Sequence, residues 1–372
     1  KTLLINQRSL SENKNDFSNI INYYSSLLRE LPMQGRRGRG VDIYSPRVSL
    51  HEANAKEIGK SLYELLIKSM EEQIKDKKNL IIVPGGILTF VPFETLIDES
   101  GQYLIQKHSI SYVQSVDIRK LIRERKHDED RKPLLAFGGA VYEKVVYDAD
   151  KIENKIQLAV LTKNIYSSLE NIRMDLLAKN LYPDFENVRS VRSAYGALGI
   201  NSWTDLPGTL NEVYNIKKVI KRSNIFTGKN VTEKDIKELS RDWTLYNYKV
   251  IHFATYGLVV PEVPELSALV LSQFKKDMGK EDGYLRIEEI AKMGFQADLV
   301  NLSAFETGLG GIYEDDGFTR LIHSFFLAGV KAVSISLWRV ADESTSQFMA
   351  SMYGLGQDKD ISYTDAFTEV KR

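Results

Sequence analysis

The sequence predicts an α/β fold: a largely parallel sheet flanked by helices, preceded by an N-terminal helical and β lobe. Three observations carry this. First, the last third alternates strands and helices, with strands at Val250–Ala254, Ala268–Leu271, Leu299–Ala304 and Ala332–Leu337 and helices at Ile287–Met293, Phe318–Leu327 and Ser344–Tyr353. That alternation is the pattern of a parallel sheet covered on both faces, and such sheets bind ligands at the carboxyl ends of their strands. Second, the apolar runs Leu80–Val83 and Leu88–Val91, separated by Pro84-Gly85-Gly86, read as buried strands of one sheet that Ile110–Val113 and Leu134–Phe137 continue. Third, 372 residues with 43% hydrophobic content can bury a large core, as two lobes or as one domain with an appendage.

In chain order, residues 1–31 are polar with Ile20, Ile21, Tyr23, Tyr24, Leu27 and Leu28 at helical intervals, which predicts a helix or helical pair. The glycine and arginine run Gln34–Gly40 reads as a solvated loop. Ala53–Ile74 places Ile58, Leu62, Leu65, Leu66 and Met70 on one helical face, expected to pack on the sheet that follows. The charged run Arg123–Lys132 reads as a solvated connection. From 141 to 204 periodicity weakens, so this stretch reads as an insertion with one helix near Ile156–Leu177. Thr209 with Glu212, and Thr232 with Asp235, have the spacing of capping boxes ahead of two further helices. The organisation that follows is a helical segment and Arg/Gly loop at 1–54, an N-terminal lobe at 55–140, the insertion at 141–204 and a C-terminal core at 205–372.

Composition narrows the function. Lys plus Arg and Asp plus Glu are 50 each, so no overall field favours nucleic acid or an anionic membrane. Arg36, Arg37 and Arg39 form the most basic stretch, but no aromatic residue is interleaved to stack on bases, which ranks a nucleic-acid partner lowest. No apolar run is long enough for a membrane span and the start lacks a signal-peptide order, so a cytoplasmic protein is expected. Lys1 is not an initiator Met and Arg372 falls within a helical pattern, so the sequence is expected to be part of a longer chain. Cysteine is absent, which removes disulfides, Cys-type zinc sites and any thiol nucleophile. The five His, at 51, 108, 127, 252 and 323, show no metal-ligand spacing, so neither metal nor cofactor is expected.

Ile251-His252-Phe253-Ala254-Thr255-Tyr256-Gly257 and Leu302-Ser303-Ala304-Phe305-Glu306-Thr307-Gly308 together resemble the two active-site stretches of CHAT domains, the caspase-like peptidase domains often attached to tetratricopeptide repeats. Ser336–Asp342 with Ser344, Thr345 and Met349, Phe325–Val330, Ile82–Leu88, Val91–Phe93 and Leu206–Thr209 with Glu212 resemble further blocks of that family in its order. The similarity runs from about residue 55 to the end, except across the insertion. Caspases place the His about 50 residues before the Cys. Here Tyr256 and Phe305 are 49 apart.

The resemblance implies a caspase-like fold and a Cys/His dyad, and both dyad positions are altered. Tyr256 stands where the family has the general base, and a phenol, ordinarily ionising near pH ~10, is a poor proton acceptor at neutral pH. Phe305 stands where the family has the nucleophile and has no heteroatom. Losing both removes the covalent mechanism. The two rings are expected to stack and fill the pocket. His252, four residues before Tyr256, is expected on the same face about 13 Å away along the strand, as a buried hydrogen-bonded structural residue. Ser303 reads as a structural or pocket-wall residue.

Gly257 and the Phe305 backbone N–H hold the family's oxyanion positions, so with Ser303 they are the residual peptide-binding candidates. Glu306, Thr307, Gly308 and Gly310 shape the turn after the strand, while Glu314, Asp315 and Asp316 read as a solvated acidic loop. The function expected is a pseudopeptidase serving as scaffold, regulatory subunit or peptide-binding module. Its partner is expected to be a protein or peptide, with tetratricopeptide regions in cis or in trans among the candidates. The alternative is a hydrolase using Ser303 or a residue of the insertion.

Overall fold

The structure is a computed structural model that describes residues 14–30, 46–142, 191, 194–196, 200, 203–260, 263–274, 281–305, 316–336, 342–357 and 361–372. The Arg/Gly run at 34–40, the helix expected near 156–177, the turn at 306–310 and the acidic loop at 314–315 lie outside the described residues, as do the side chains of Phe305 and Asp316. The described residues up to Val116, with Lys371 and Arg372, form one compact unit, and those from Asp117 to Val370 form the other.

In the first unit, α1 (Lys14–Glu30) buries Ile21, Tyr24 and Leu27, a three-residue repeat that puts all three on one face. That face packs on α2 (Pro46–Leu66), which buries Ala55, Leu62 and Tyr63. The Tyr24 hydroxyl meets Thr95 at its carbonyl oxygen (3.0 Å) and its Oγ1 (2.7 Å), so the phenol is buried with its polar end satisfied. The single helix expected to continue to residue 74 is broken, with a 3₁₀ turn at Lys68–Met70 before the short α3 (Glu71–Ile74).

β1 (Asn79–Ile82) and, beyond α4 (Leu104–Lys107), β2 (Ser109–Tyr112) pair in parallel from Asn79 with Ser109 to Ile82 with Tyr112. They form a separate two-stranded sheet, which corrects the expectation of one continuous sheet. β1 is half-exposed rather than buried, because a two-stranded sheet has no second layer over each face, and Ile81 is 42% exposed. Leu88–Val91, expected as a strand, is mostly a 3₁₀ helix, Gly86–Phe90, burying Ile87 and Phe90. Gly86 opens it at φ +56°, a left-handed conformation that glycine enters without steric cost.

Among the described residues, the second unit is built on a sheet of seven strands. After α5 (Val116–Glu124) come β3 (Lys132–Gly138), α6 (Pro207–Val219), β4 (Asn224–Thr227), α7 (Glu233–Arg241), β5 (Tyr248–Leu258), β6 (Ala268–Val270) and β7 (Tyr284–Arg286). α8 (Ile287–Ala291), β8 (Leu299–Phe305), α9 (Asp316–Leu327), β9 (Val333–Ile335), α10 (Asp342–Leu355) and α11 (Tyr363–Lys371) complete it. Strands β4, β3, β5, β8 and β9 lie side by side in that order, all parallel. β6 and β7 add antiparallel strands beside the second half of β5. The mostly parallel, helix-flanked sheet is the fold class expected from the sequence.

Alternation along the strands sorts the core into two layers. On one face Leu134, Ala136, Val250, Ala254 and Leu299 pack with Val213 and Ile216 of α6 and Met349, Met352 and Tyr353 of α10. The other face carries a row of rings, with Phe137 stacked on Phe253 (5.0 Å, 10°) and Phe253 against Phe325 of α9 (6.3 Å). α6 approaches β3 closely at Gly138, where an added Cβ would lie 2.7 Å from both the Thr209 carbonyl oxygen and Val213 Cγ1.

The charged connection before β3 is anchored rather than freely solvated. Arg131 Nη2 pairs with Asp298 Oδ2 at 2.8 Å, His127 Nδ1 lies 3.2 Å from Asp298 Oδ1, and Arg125 Nη1 donates to the Val330 carbonyl oxygen at 2.6 Å. Asp298, just before β8, thus holds Arg131 and His127 of a run that composition alone assigns to solvent.

Candidate functional site

β5 and β8 carry the residues singled out in the sequence, and their pairing decides how these meet. Val250, Ile251, His252 and Phe253 pair in register with Leu299, Val300, Asn301 and Leu302. The register then shifts: Tyr256 pairs with Ala304 and Gly257 with Phe305. β5 spends three residues from Phe253 to Tyr256 where β8 spends two from Leu302 to Ala304. A bulge of this kind breaks strict alternation.

The expectation that His252 and Tyr256 share one face is therefore corrected, and the two have different neighbours. β5 also continues to Leu258, because past the bulge it gains β6 as an antiparallel partner. Tyr256 thus lies inside a strand, and Phe305 is the last residue of β8, rather than either falling just beyond a strand end.

Below the bulge is a buried polar network. His252 is fully buried, and its Nδ1 lies 2.9 Å from Asn301 Nδ2 and 3.0 Å from the Tyr353 hydroxyl. Asn301 Nδ2 also meets Met349 Sδ at 3.2 Å. Since the amide donates, Nδ1 accepts, and the imidazole proton sits on Nε2. Nε2 lies 3.1 Å from Glu212 Oε1, although not in hydrogen-bond alignment. The same Glu212 oxygen accepts from Ser303 Oγ at 2.5 Å. Burial pushes the Tyr353 phenol well above its ordinary pKa, so its hydroxyl keeps its proton.

This network links Ser303 to Glu212 and Glu212 to His252. It has the residue types of a nucleophile triad in the wrong order, since the serine oxygen bonds to the Glu212 side chain and, among the described residues, no hydrogen bond joins it to an imidazole. Ser303, Glu212 and His252 are each at most 2% exposed. Ser303 also accepts a hydrogen bond at its carbonyl oxygen from Ser336 Oγ (3.1 Å). Sequence reading missed Glu212 as a partner because it assigned the residue to a capping box. In fact α6 begins at Pro207 with no side-chain cap, and Thr209 Oγ1 accepts the Gly139 N–H (2.9 Å) and donates to the Leu206 carbonyl oxygen (2.7 Å). Thr232 does cap α7, accepting from the Asp235 N–H at 3.1 Å.

Beyond the bulge the surroundings are aromatic. The Tyr256 ring packs on Trp203 (4.7 Å) and Tyr142 (5.7 Å), and its hydroxyl lies 3.1 Å from Thr204 Oγ1. Tyr142, just after β3, donates its hydroxyl to the Val270 carbonyl oxygen at 3.0 Å. Burial pushes the Tyr142 phenol above its ordinary pKa, and the neighbouring Tyr256 adds to this. Trp203 Nε1 donates to the Tyr284 hydroxyl (2.9 Å), and the Tyr284 ring stacks on Tyr195 at 3.9 Å. The stacking expected between Tyr256 and Phe305 falls on a side chain outside those described. Tyr256 packs at a tilt against Tyr142 and Trp203, residues at the two ends of the weakly periodic stretch, where no motif flagged them.

Gly257 pairs with Leu269 of β6 on one edge and Phe305 of β8 on the other. Among the described residues no group of three or more His, Cys, Asp or Glu could hold a metal ion, and no helix is long and apolar enough to cross a membrane.

The mostly parallel, helix-flanked sheet, with Tyr256 of β5 beside Ala304 and Phe305 closing β8, is consistent with a caspase-like, peptidase-related domain. The chain belongs to the CHAT domain family, whose model matches residues 56–362. A comparison with curated proteins gives no match.

Proposed function

We propose that this chain is a CHAT-domain pseudopeptidase, a non-catalytic member acting as a scaffold, a regulatory subunit or a peptide-binding module. The observation that carries the reading is the loss of chemistry within a kept framework. The family positions for base and nucleophile hold Tyr256 and Phe305, and the whole chain contains no cysteine to replace the thiolate. Tyr256, 5% exposed and packed among rings, behaves as a core residue. Its partner on this reading is a protein or peptide, tetratricopeptide regions in cis or in trans included, in a cytoplasmic setting. Gly257, Ser303 and the Phe305 backbone are the residual docking positions. Because Ser303 Oγ is committed to Glu212 and Gly257 is flanked by strands on both edges, the end of β8 at Phe305 is the position best placed to meet a peptide.

The Ser303, Glu212 and His252 contacts favour a second reading, a hydrolase with a serine nucleophile. Burial and the order of the contacts weigh against it. Incubating the purified chain with a peptide library separates the two: no turnover supports the pseudopeptidase, and turnover lost on Ser303→Ala supports the hydrolase.

A further inference from the structure

Strand order reverses between β3 and β5, since β4 lies beyond β3 on one side and β8 beyond β5 on the other. In parallel sheets of this kind the connections diverge at the reversal and leave a crevice at the carboxyl ends of the strands. Rings gather near that point: Tyr142, four residues past β3, and Trp203, in the run leading into α6, both pack on Tyr256 of β5. Thr204 and Asp205 in that run are exposed, whereas Tyr256 beneath them is 5% exposed.

We propose that Trp203–Asp205 is a strap that closes the crevice over Tyr256, an autoinhibitory contact that keeps a peptide from the end of β5 whatever residues occupy the dyad positions. The proposal rests on reading the carboxyl end of β5 as part of the family's peptide cleft.

Three side-chain contacts hold the strap. Trp203 Nε1 donates to the Tyr284 hydroxyl at 2.9 Å, Thr204 Oγ1 lies 3.1 Å from the Tyr256 hydroxyl, and Asp205 Oδ1 accepts the Tyr142 N–H at 3.0 Å. Residues 203–205 belong to no helix or strand, and among the described residues no backbone-to-backbone hydrogen bond ties them to the sheet. Segments held this way open locally at much lower cost than the strands beneath them. The strap is thus the part of the site able to move while the sheet stays folded. Restoring the dyad by Tyr256→His and Phe305→Cys leaves Trp203 in place, so the strap remains a second obstacle.

The absence of native cysteine makes a direct test available, because Tyr256→Cys introduces the only thiol in the chain. Its labelling by a small thiol reagent is expected to be slow with the native strap and about tenfold faster or more with Trp203→Ala, as loss of the indole removes the anchor. Equal rates in the two backgrounds would overturn the proposal. As Tyr256→Cys empties a ring-sized space, a second measurement keeps the native residue: nitration of Tyr256 followed by peptide mapping, with exposed Tyr214 as internal standard. Protection of Tyr256 relative to Tyr214 that is lost on Trp203→Ala supports the strap, and Tyr256 reacting as fast as Tyr214 in the unmodified chain rejects it. Both measurements read cover rather than catalysis. A failed strap leaves the non-catalytic reading standing, and turnover by the unmodified chain would remove that reading without touching the strap.

Discussion

Ser303 Oγ donates to Glu212 Oε1 at 2.5 Å, joining the β8 strand to helix α6 inside a core where both residues are 2% exposed. A serine in a caspase-like sheet invites a catalytic assignment, but this one uses its proton to satisfy a buried carboxylate. A buried polar group is tolerated only when its oxygens have such partners.

Ser303→Ala is accordingly expected to lower stability by about 1–3 kcal/mol, because the carboxylate oxygen loses its donor without gaining water. Glu212→Ala is expected to cost about 3–5 kcal/mol, as it leaves a cavity and strands both Ser303 and the His252 imidazole. Urea denaturation of the variants checks both, and a change below about 0.5 kcal/mol for Ser303→Ala would mean that the contact is not formed.

At Tyr256 the ring is expected to matter more than the hydroxyl. Tyr256→Phe removes only the 3.1 Å contact with Thr204 and is expected to cost about 1 kcal/mol or less. Tyr256→Ala deletes the packing on Trp203 and Tyr142 and is expected to cost about 3–5 kcal/mol. Thermal unfolding of the pair tests this, and comparable losses for the two would contradict the ring-based account.

The close approach of α6 to β3 gives a third expectation. Gly138→Ala puts a methyl 2.7 Å from a carbonyl oxygen and from Val213 Cγ1 at once, so helix and strand must separate. A loss of about 1–3 kcal/mol is expected, and a neutral or stabilising outcome in denaturant melts would show that the two elements lie farther apart.

Acid sensitivity of the N-terminal unit is expected to centre on Asp98. Burial alone would raise its carboxyl, but the Lys107 ammonium, the Ser100 hydroxyl and the Gln102 N–H outweigh that and hold it at about 2. Its folded pKa is thus depressed below the unfolded value. The stabilisation it gives is complete above the unfolded pKa of about 4 and is lost as pH falls through about 2. Asp98→Asn should flatten this part of the acid limb when stability is followed from pH ~5 to pH ~2, and an unchanged limb would contradict the assignment.

The parallel core was legible because its strands are short apolar runs closed by turn residues, as in Leu134–Phe137 and Leu299–Ala304, with helical spacing between them. Local pattern did not reveal what depends on a partner. Leu88–Val91 has the composition of a strand, but among the described residues no strand pairs with it and most of it coils into a 3₁₀ turn. The slip at Phe253–Tyr256 is invisible in β5 alone, because a bulge is defined by the count on the opposing strand. Glu212 was misread for a similar reason. Three residues after a threonine ahead of a helix, a carboxylate satisfies the capping pattern, and only the approach of β8 shows that it turns inward. Tyr142 and Trp203 gave no signal, since ring contacts across the ends of an irregular stretch have no periodicity.

The most direct test of the central claim is incubation of the unmodified, purified chain with a peptide library at neutral pH, read by mass spectrometry and run beside Ser303→Ala. The account expects no cleavage above background from either protein, since on the proposed reading a phenol and a phenyl ring stand where the family has base and nucleophile. Reproducible cleavage by the unmodified chain, abolished in Ser303→Ala, would contradict it and show that a buried serine becomes exposed to do chemistry.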